Sequence, residues 1–303
     1  MGPLTRLQEE IEKRSLSGGG WATENGQRAG IETTCYALMA LHDRQASACD
    51  RAIHLLLRTQ NADGSWPAFD GDDPEGCWTT ALVVMALRFI RSPSWPLKKA
   101  VRWLINEEGR EGHWFWKWKF QMLDRAVQFD PEKYGWPWFP GTVSWVVPTA
   151  FSLIALRQSF PCSRSEAVAN RIQLALEMLR DRACPQGGWN AGNGIVFGSA
   201  LTPHIDTTAI ALLALTEPAD GTAVQALNWL RASCVDCSSA YSLAWATIAL
   251  IVHQDEAVKY CIGNLDRALS SRNAISNIET LSLATIAIKA GQGNSNPFSS
   301  GLK

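Results

Sequence analysis

The chain has 303 residues, 46% of them apolar and 19% charged, enough to bury a large core and outside the composition of disordered chains. Its formal net charge of −1 and lack of a basic run exclude nucleic acid as a partner. No window is long and apolar enough to read as a membrane span.

From the N-terminus, residues 4–14 (LTRLQEEIEKR) set apolar side chains three and four apart with charges between, which predicts a half-exposed helix. This opening segment has no apolar stretch and does not read as a signal peptide. With eight scattered cysteines, it points to a cytoplasmic setting with free thiols. Residues 32–41 (ETTCYALMAL) are apolar nearly all round, the pattern of a helix surrounded by protein. The alternation then repeats. Amphipathic helices are predicted at 50–60, 97–108, 165–182, 222–233 and 255–269, and apolar ones at 78–87, 147–156, 206–215, 241–250 and 279–288. Six copies of one hairpin describe two concentric rings, an all-α (α/α)6 toroid forming a single domain over 1–303. An aromatic-rich insertion at about 108–146 interrupts the third copy, and a flexible tail is expected from about 291.

The loops between outer and inner helices read GGGW (18–21), QNADGSW (60–66), YGWPWFPG (134–141) and QGGWNAGNG (186–194). Gly permits tight turns there, and each Trp can cap its hairpin by stacking on the end of the outer helix. The run from Gln60 to Trp66 resembles the QW repeat of squalene and oxidosqualene cyclases, with a shorter copy at 186–189. The resemblance implies the toroid of isoprenoid cyclases and of the β subunits of protein prenyltransferases.

Aligning the inner helices by their Ala-Leu ends puts Glu32, Trp78, Val147, Asp206, Tyr241 and Glu279 in one column at their N-termini, where they should ring one opening. Asp206 before Thr207-Thr208 fits an N-cap, worth about 1 kcal/mol. Residues 203–209 (PHIDTTA) also resemble the Asp-x-Asp-Asp-Thr-Ala or Asp-x-Asp-Thr-Thr motif of class II terpene cyclases, with His204 in place of the first Asp. That resemblance implies that Asp206 protonates an alkene, which requires a carboxylic acid kept neutral at pH 7. His204 is its candidate partner.

Within the insertion, Trp114, Trp116 and Trp118 alternate with Phe115 and Lys117, predicting an extended lid with the three indoles on one face. Lys117 and Lys119 then face the other way, toward a diphosphate or toward water. Trp136, Trp138, Phe139 and Trp145 follow. Aromatic faces stabilise cations, so these residues are candidates for shaping a cyclase pocket; a self-packed lid is the other reading. The function expected is proton-initiated cyclisation of a linear isoprenoid. No cofactor is expected, Mg entering only if the substrate carries a diphosphate. Peripheral membrane contact suits a lipid-soluble substrate, although no amphipathic insertion helix is visible. No metal site is expected either. Where a zinc prenyltransferase has His-Thr-Cys-Tyr this chain has Thr33-Thr34-Cys35-Tyr36, and Asp236-Cys237 lacks the Asp-x-Cys spacing. Cys234 and Cys237 form a lone CxxC. Two alternatives remain, a carbohydrate-active toroid enzyme with paired carboxylates and a non-catalytic binder of hydrophobic ligands. An apolar cavity favours the cyclase, a carboxylate-lined cleft the glycosidase, and a filled barrel a scaffold.

Overall fold

Ala, Leu, Ile and Val fill the apolar helices with little polar interruption, and a helix of that kind is stable only with protein on every side. The computed structural model describes residues 3–23, 26, 28–44, 46–92, 95–122, 128–159, 165–217, 220–270 and 277–299. The inner helices are α2 (Ile31–Ala40), α4 (Thr79–Phe89), α7 (Val146–Ser159), α9 (Ile205–Ala214), α11 (Ala240–Val252) and α13 (Ile278–Gly291). Each touches the next in this order and α13 returns to α2, so the ring closes. The outer helices are α1 (Pro3–Lys13), α3 (Ser47–Arg58), α5 (Trp95–Asn106), α8 (Glu166–Asp181), α10 (Gly221–Ser233) and α12 (Val258–Leu269). Each lies on the inner helix before it, and α1 closes the outer ring by packing on α13. The molecule is an (α/α)6 toroid.

Four of the six hairpins share one joint. The indole N–H of Trp21, Trp66, Trp136 and Trp189 donates to the carbonyl of Ile11, Leu56, Leu104 and Leu179 respectively, at 2.6–2.8 Å. These carbonyls lie in the last turns of the outer helices, where the final C=O groups lack a partner within the helix. The backbone N–H of the same four tryptophans donates to the hydroxyl of Thr34, Thr80, Thr149 and Thr208 in the first turn of the inner helix, at 2.9–3.1 Å. Each buried Trp thus fastens the end of one helix to the start of the next. At the 60–66 joint, Gln60 adds a bond from Nε2 to the Pro96 carbonyl of α5 at 2.9 Å, tying one hairpin to its neighbour. Gly64, with φ of +99°, lies so close to Lys99 of that helix that a Cβ would stand 2.5 Å from the Lys99 Cβ.

Three expectations need correction. Residues 114–122 form a helix, α6 (Trp114–Met122), where an extended lid was predicted. Extended pairing occurs instead at 195–200, where β1 (Ile195–Val196) and β2 (Ser199–Ala200) make a short antiparallel hairpin. The segment after α13 does not hang free, for Asn296 and Phe298 are buried and Gln158 Nε2 donates to the carbonyls of Pro297 and Ser299 at 2.8 and 3.0 Å. Residues 300–303 lie outside the described residues.

Candidate functional site

All inner helices start at one end of the toroid, so their first turns surround a single mouth. Glu32, Trp78, Val147, Asp206, Tyr241 and Glu279 are each partly exposed, whereas most of their immediate neighbours in sequence are buried. One helical turn deeper, at i+4 on the same face, stand Tyr36, Leu82, Phe151, Ile210, Trp245 and Leu283, all 0–3% exposed. The barrel is therefore layered, with a mixed polar ring at the mouth and an apolar floor roughly 6 Å below it.

The floor is solid. Tyr36 of α2 and Phe151 of α7 each meet Trp245 of α11, with ring centroids 5.8 and 5.7 Å apart. These helices are not neighbours in the ring, so the contacts cross the barrel axis. Phe298, from the segment after α13, enters this group at 4.9 Å from Trp245 and 6.3 Å from both Tyr36 and Phe151. The barrel below the mouth is thus filled, partly by the chain's own C-terminal segment. Among the described residues the floor leaves no deep apolar cavity of the kind that favours a cyclase, and a filled barrel by itself favours the scaffold reading, which leaves any chemistry to the mouth.

The mouth carries the chemistry. Glu32 keeps only partial access to solvent at the mouth, and its burial, with the charge of Glu279 second, pushes its pKa from 4.5 up to about 8 against an opposing hydrogen bond from Tyr36. Its carboxyl holds a proton at neutral pH. Glu279 is arranged differently: its Oε1 accepts hydrogen bonds from the hydroxyls of Thr33 at 2.7 Å and Thr23 at 3.0 Å. Tyr241 is pushed up, first by burial and then by the charges of Glu32, Asp206 and Glu279 nearby. The buried indole N–H of Trp245 lies near the Tyr241 oxygen without closing a hydrogen bond. Trp78 completes the ring, edge-on to Trp138 at 4.9 Å and stacked over Phe151 at 5.8 Å.

Among the residues singled out in the sequence, Glu32, Trp78, Asp206, Tyr241 and Glu279 come together in this ring, and Trp138 joins it through Trp78. Asp206 is not the N-cap of α9; that position belongs to His204, whose side chain makes no capping bond, and Asp206 is the second residue of the helix. His204 is exposed and pairs through Nε2 with the Asn190 side chain at 3.2 Å. Trp136 is no pocket residue, being 1% exposed and engaged in a hairpin joint. Trp145 packs against Gly192 of the next loop, and Phe139 stands 45% exposed on the rim. Trp114 and Trp118 face solvent, and Trp116 lies between Arg110 and Lys119. Lys117 pairs with Glu132 at 2.7 Å. Thr33, in place of the zinc-binding His, bonds Glu279, and among the described residues no group of three or more His, Cys, Asp or Glu side chains is arranged to hold a metal.

The floor residues Tyr36, Phe151 and Trp245 were not singled out, although they follow Glu32, Val147 and Tyr241 by one turn and the same alignment contains them. Phe298 had no such signal, because it follows the last repeat.

No protein-family model matches the sequence, and no curated protein matches it. Solved structures share the fold. An α-amylase from Clostridium perfringens aligns over 93% of this chain and 96% of its own, with TM-score 0.68 and 11% identity. The type II terpene cyclase MstE from Scytonema aligns over 95% and 99%, with TM-score 0.59 and 15% identity. A mutant of Rex8A from Paenibacillus barcinonensis, complexed with xylose, aligns over 99% and 94%, with TM-score 0.63 and 11% identity. A fold found in both an amylase and a terpene cyclase does not choose between their chemistries.

Proposed function

We propose that the protein is an acid-catalysed isoprenoid cyclase-like enzyme in which a neutral carboxyl at the mouth protonates an alkene. The observation that carries this reading is Glu32, whose surroundings keep its proton to about pH 8 directly above an aromatic floor. An alkene is a very weak base, so its donor must be a desolvated acid that is still protonated at working pH. In the proposed step the Glu32 proton goes to one alkene carbon and leaves a tertiary cation. The π faces of Trp78, Tyr241 and Trp138 then stabilise that cation. A second alkene of the same chain attacks that cation to close the ring, the cyclised cation loses a proton to water at the mouth, and the Glu32 carboxylate regains its proton from solvent, which completes turnover. The filled floor suits a substrate whose reacting end enters the mouth while the rest lies along the aromatic rim.

A second reading rests on the same ring. Glu32 beside Glu279, one protonated and the other accepting two hydroxyl bonds, also pairs an acid with a base for glycoside hydrolysis. Three isosteric variants, Glu32→Gln, Glu279→Gln and Asp206→Asn, separate the possibilities when assayed on linear polyprenyl substrates and on glucan and xylan. The cyclase reading expects polyprenyl turnover that Glu32→Gln abolishes and Glu279→Gln only weakens. Loss in Asp206→Asn alone would move the donor to the residue that the motif resemblance designates. Glycan cleavage abolished by both Glu variants, with no polyprenyl turnover, would establish the second reading and sink the first.

A further inference from the structure

We infer that α6 and the turn of the β1–β2 hairpin form a docking surface that lays the mouth of the toroid on a lipid bilayer with anionic headgroups. The inference does not depend on which reaction the mouth performs. On α6, Trp114, Phe115, Trp118 and Met122 are 73%, 43%, 53% and 62% exposed. At 100° per residue these four occupy one arc of about 100°. The opposite arc fastens the helix down: Phe120 meets Phe129 at 5.2 Å, and Lys117 reaches both Glu132 and the Tyr134 ring. A helix held by its underside thus presents four large apolar side chains outward, a concentration that monomeric surfaces rarely show.

The hairpin adds an independent observation. Phe197, at its tip, is 81% exposed and has a φ of +49°. A bulky residue in the left-handed region is an outlier, and strain of this kind collects at functional positions. Both elements rise from connections between an outer and an inner helix, so both stand at the mouth end. A bond from Gln128 N to the Ile195 carbonyl, 3.4 Å long, joins the insertion to the hairpin.

The chemistry of the patch selects the occupant. Indoles and phenyl rings flanked by Lys and Arg are the composition of interfacial membrane helices, in which the rings enter the acyl boundary and the cations meet headgroups. Lys119, about 40° round the helix from Phe115, borders the apolar arc, and its Nζ and the Arg110 guanidinium lie 4.5 and 4.8 Å from the Trp116 ring centre. In a two-fold dimer centred on this helix Lys119 would oppose its own copy, which disfavours a second chain there. A plane also accepts two separate protrusions without a matching shape. Among the described residues no helix is long and apolar enough to cross a membrane, so the inferred contact is one of lying on the surface.

Co-sedimentation of the full chain with phosphatidylcholine vesicles, with and without phosphatidylglycerol, tests the inference. Binding is expected to the mixed vesicles, with a blue-shifted tryptophan emission, and to be weaker on phosphatidylcholine alone. The double variant Trp114→Ser/Trp118→Ser should lose about tenfold or more in affinity, since each removes a large apolar side chain from the membrane. Phe197→Ser touches only the hairpin and should weaken binding in the same direction, so it keeps the test valid if the double variant folds poorly. Absence of binding to both vesicles, or unchanged binding in both variants, would overturn the inference. So would a dimer of the wild type that the double variant converts to monomer without any vesicle binding, which would make a second copy the occupant.

Discussion

At Glu32 the burial that keeps a proton on the carboxyl also makes the fold pH-dependent. The unfolded chain releases this proton near the ordinary value of 4.5, whereas the folded protein holds it to about 8. Between those values the folded state binds more protons, so stability falls as pH rises through the window and levels off above it. Glu32→Gln removes that contribution. Its Tm should lose less than the wild type's between pH 5 and pH 8, and parallel melting profiles would contradict the assignment. The ring that holds Glu32 was legible because helices repeating one pattern place corresponding residues at one level. Asp206 as an N-cap was misread, since an Asp before two threonines marks the start of a helix only to within a residue or two. The neutral state of Glu32 was not legible, because it arises first from enclosure by the surrounding helices and then from Glu279, 247 residues away in sequence.

Among the elements, the hairpin joint makes an unequal demand on two threonines. Thr80 Oγ1 accepts the buried N–H of Trp66 at 2.9 Å, and among the described residues this is the bond that satisfies that donor. Thr80→Val should therefore cost about 1–3 kcal/mol, the penalty of leaving a buried donor unpaired. Thr285 Oγ1 donates instead to the Leu281 carbonyl of its own helix, at 2.8 Å, and that carbonyl already lies in the helical ladder. Thr285→Val should cost well under half as much, measured by urea unfolding of both variants. Equal losses would show that the joint adds nothing beyond ordinary burial. The joints could be anticipated as Trp at the loop ends, but stacking was expected where hydrogen bonds are found. The conformation of α6 was misread because Trp at every second residue fits a strand, while the i, i+4 pair Trp114 and Trp118 fits a helix equally well. Contacts from Phe129, Tyr134 and Glu132, outside the segment, decide between them.

For the whole molecule, Phe298 ties three separate sides of the ring together. It touches residues of α2, α7 and α11, none adjacent to another, and fills the centre of the floor. Phe298→Ala should cost about 3–5 kcal/mol, because rings on three sides cannot all collapse into the space left behind. Chemical denaturation would measure it, and a loss below about 1 kcal/mol would mean that the floor closes without the C-terminal segment. Six repeats announced a closed barrel, yet nothing in their period told what would fill it.

The return of α13 to α2, with α1 on α13, leaves the stack of hairpins without an outermost member. An open array of repeats can unravel from its terminal units one at a time, each loss exposing a single interface. Here the first hairpin to detach breaks contacts with two neighbours and lays bare two apolar flanks at once. Partial structures are penalised on both sides, and the ring unfolds as one cooperative unit rather than by fraying.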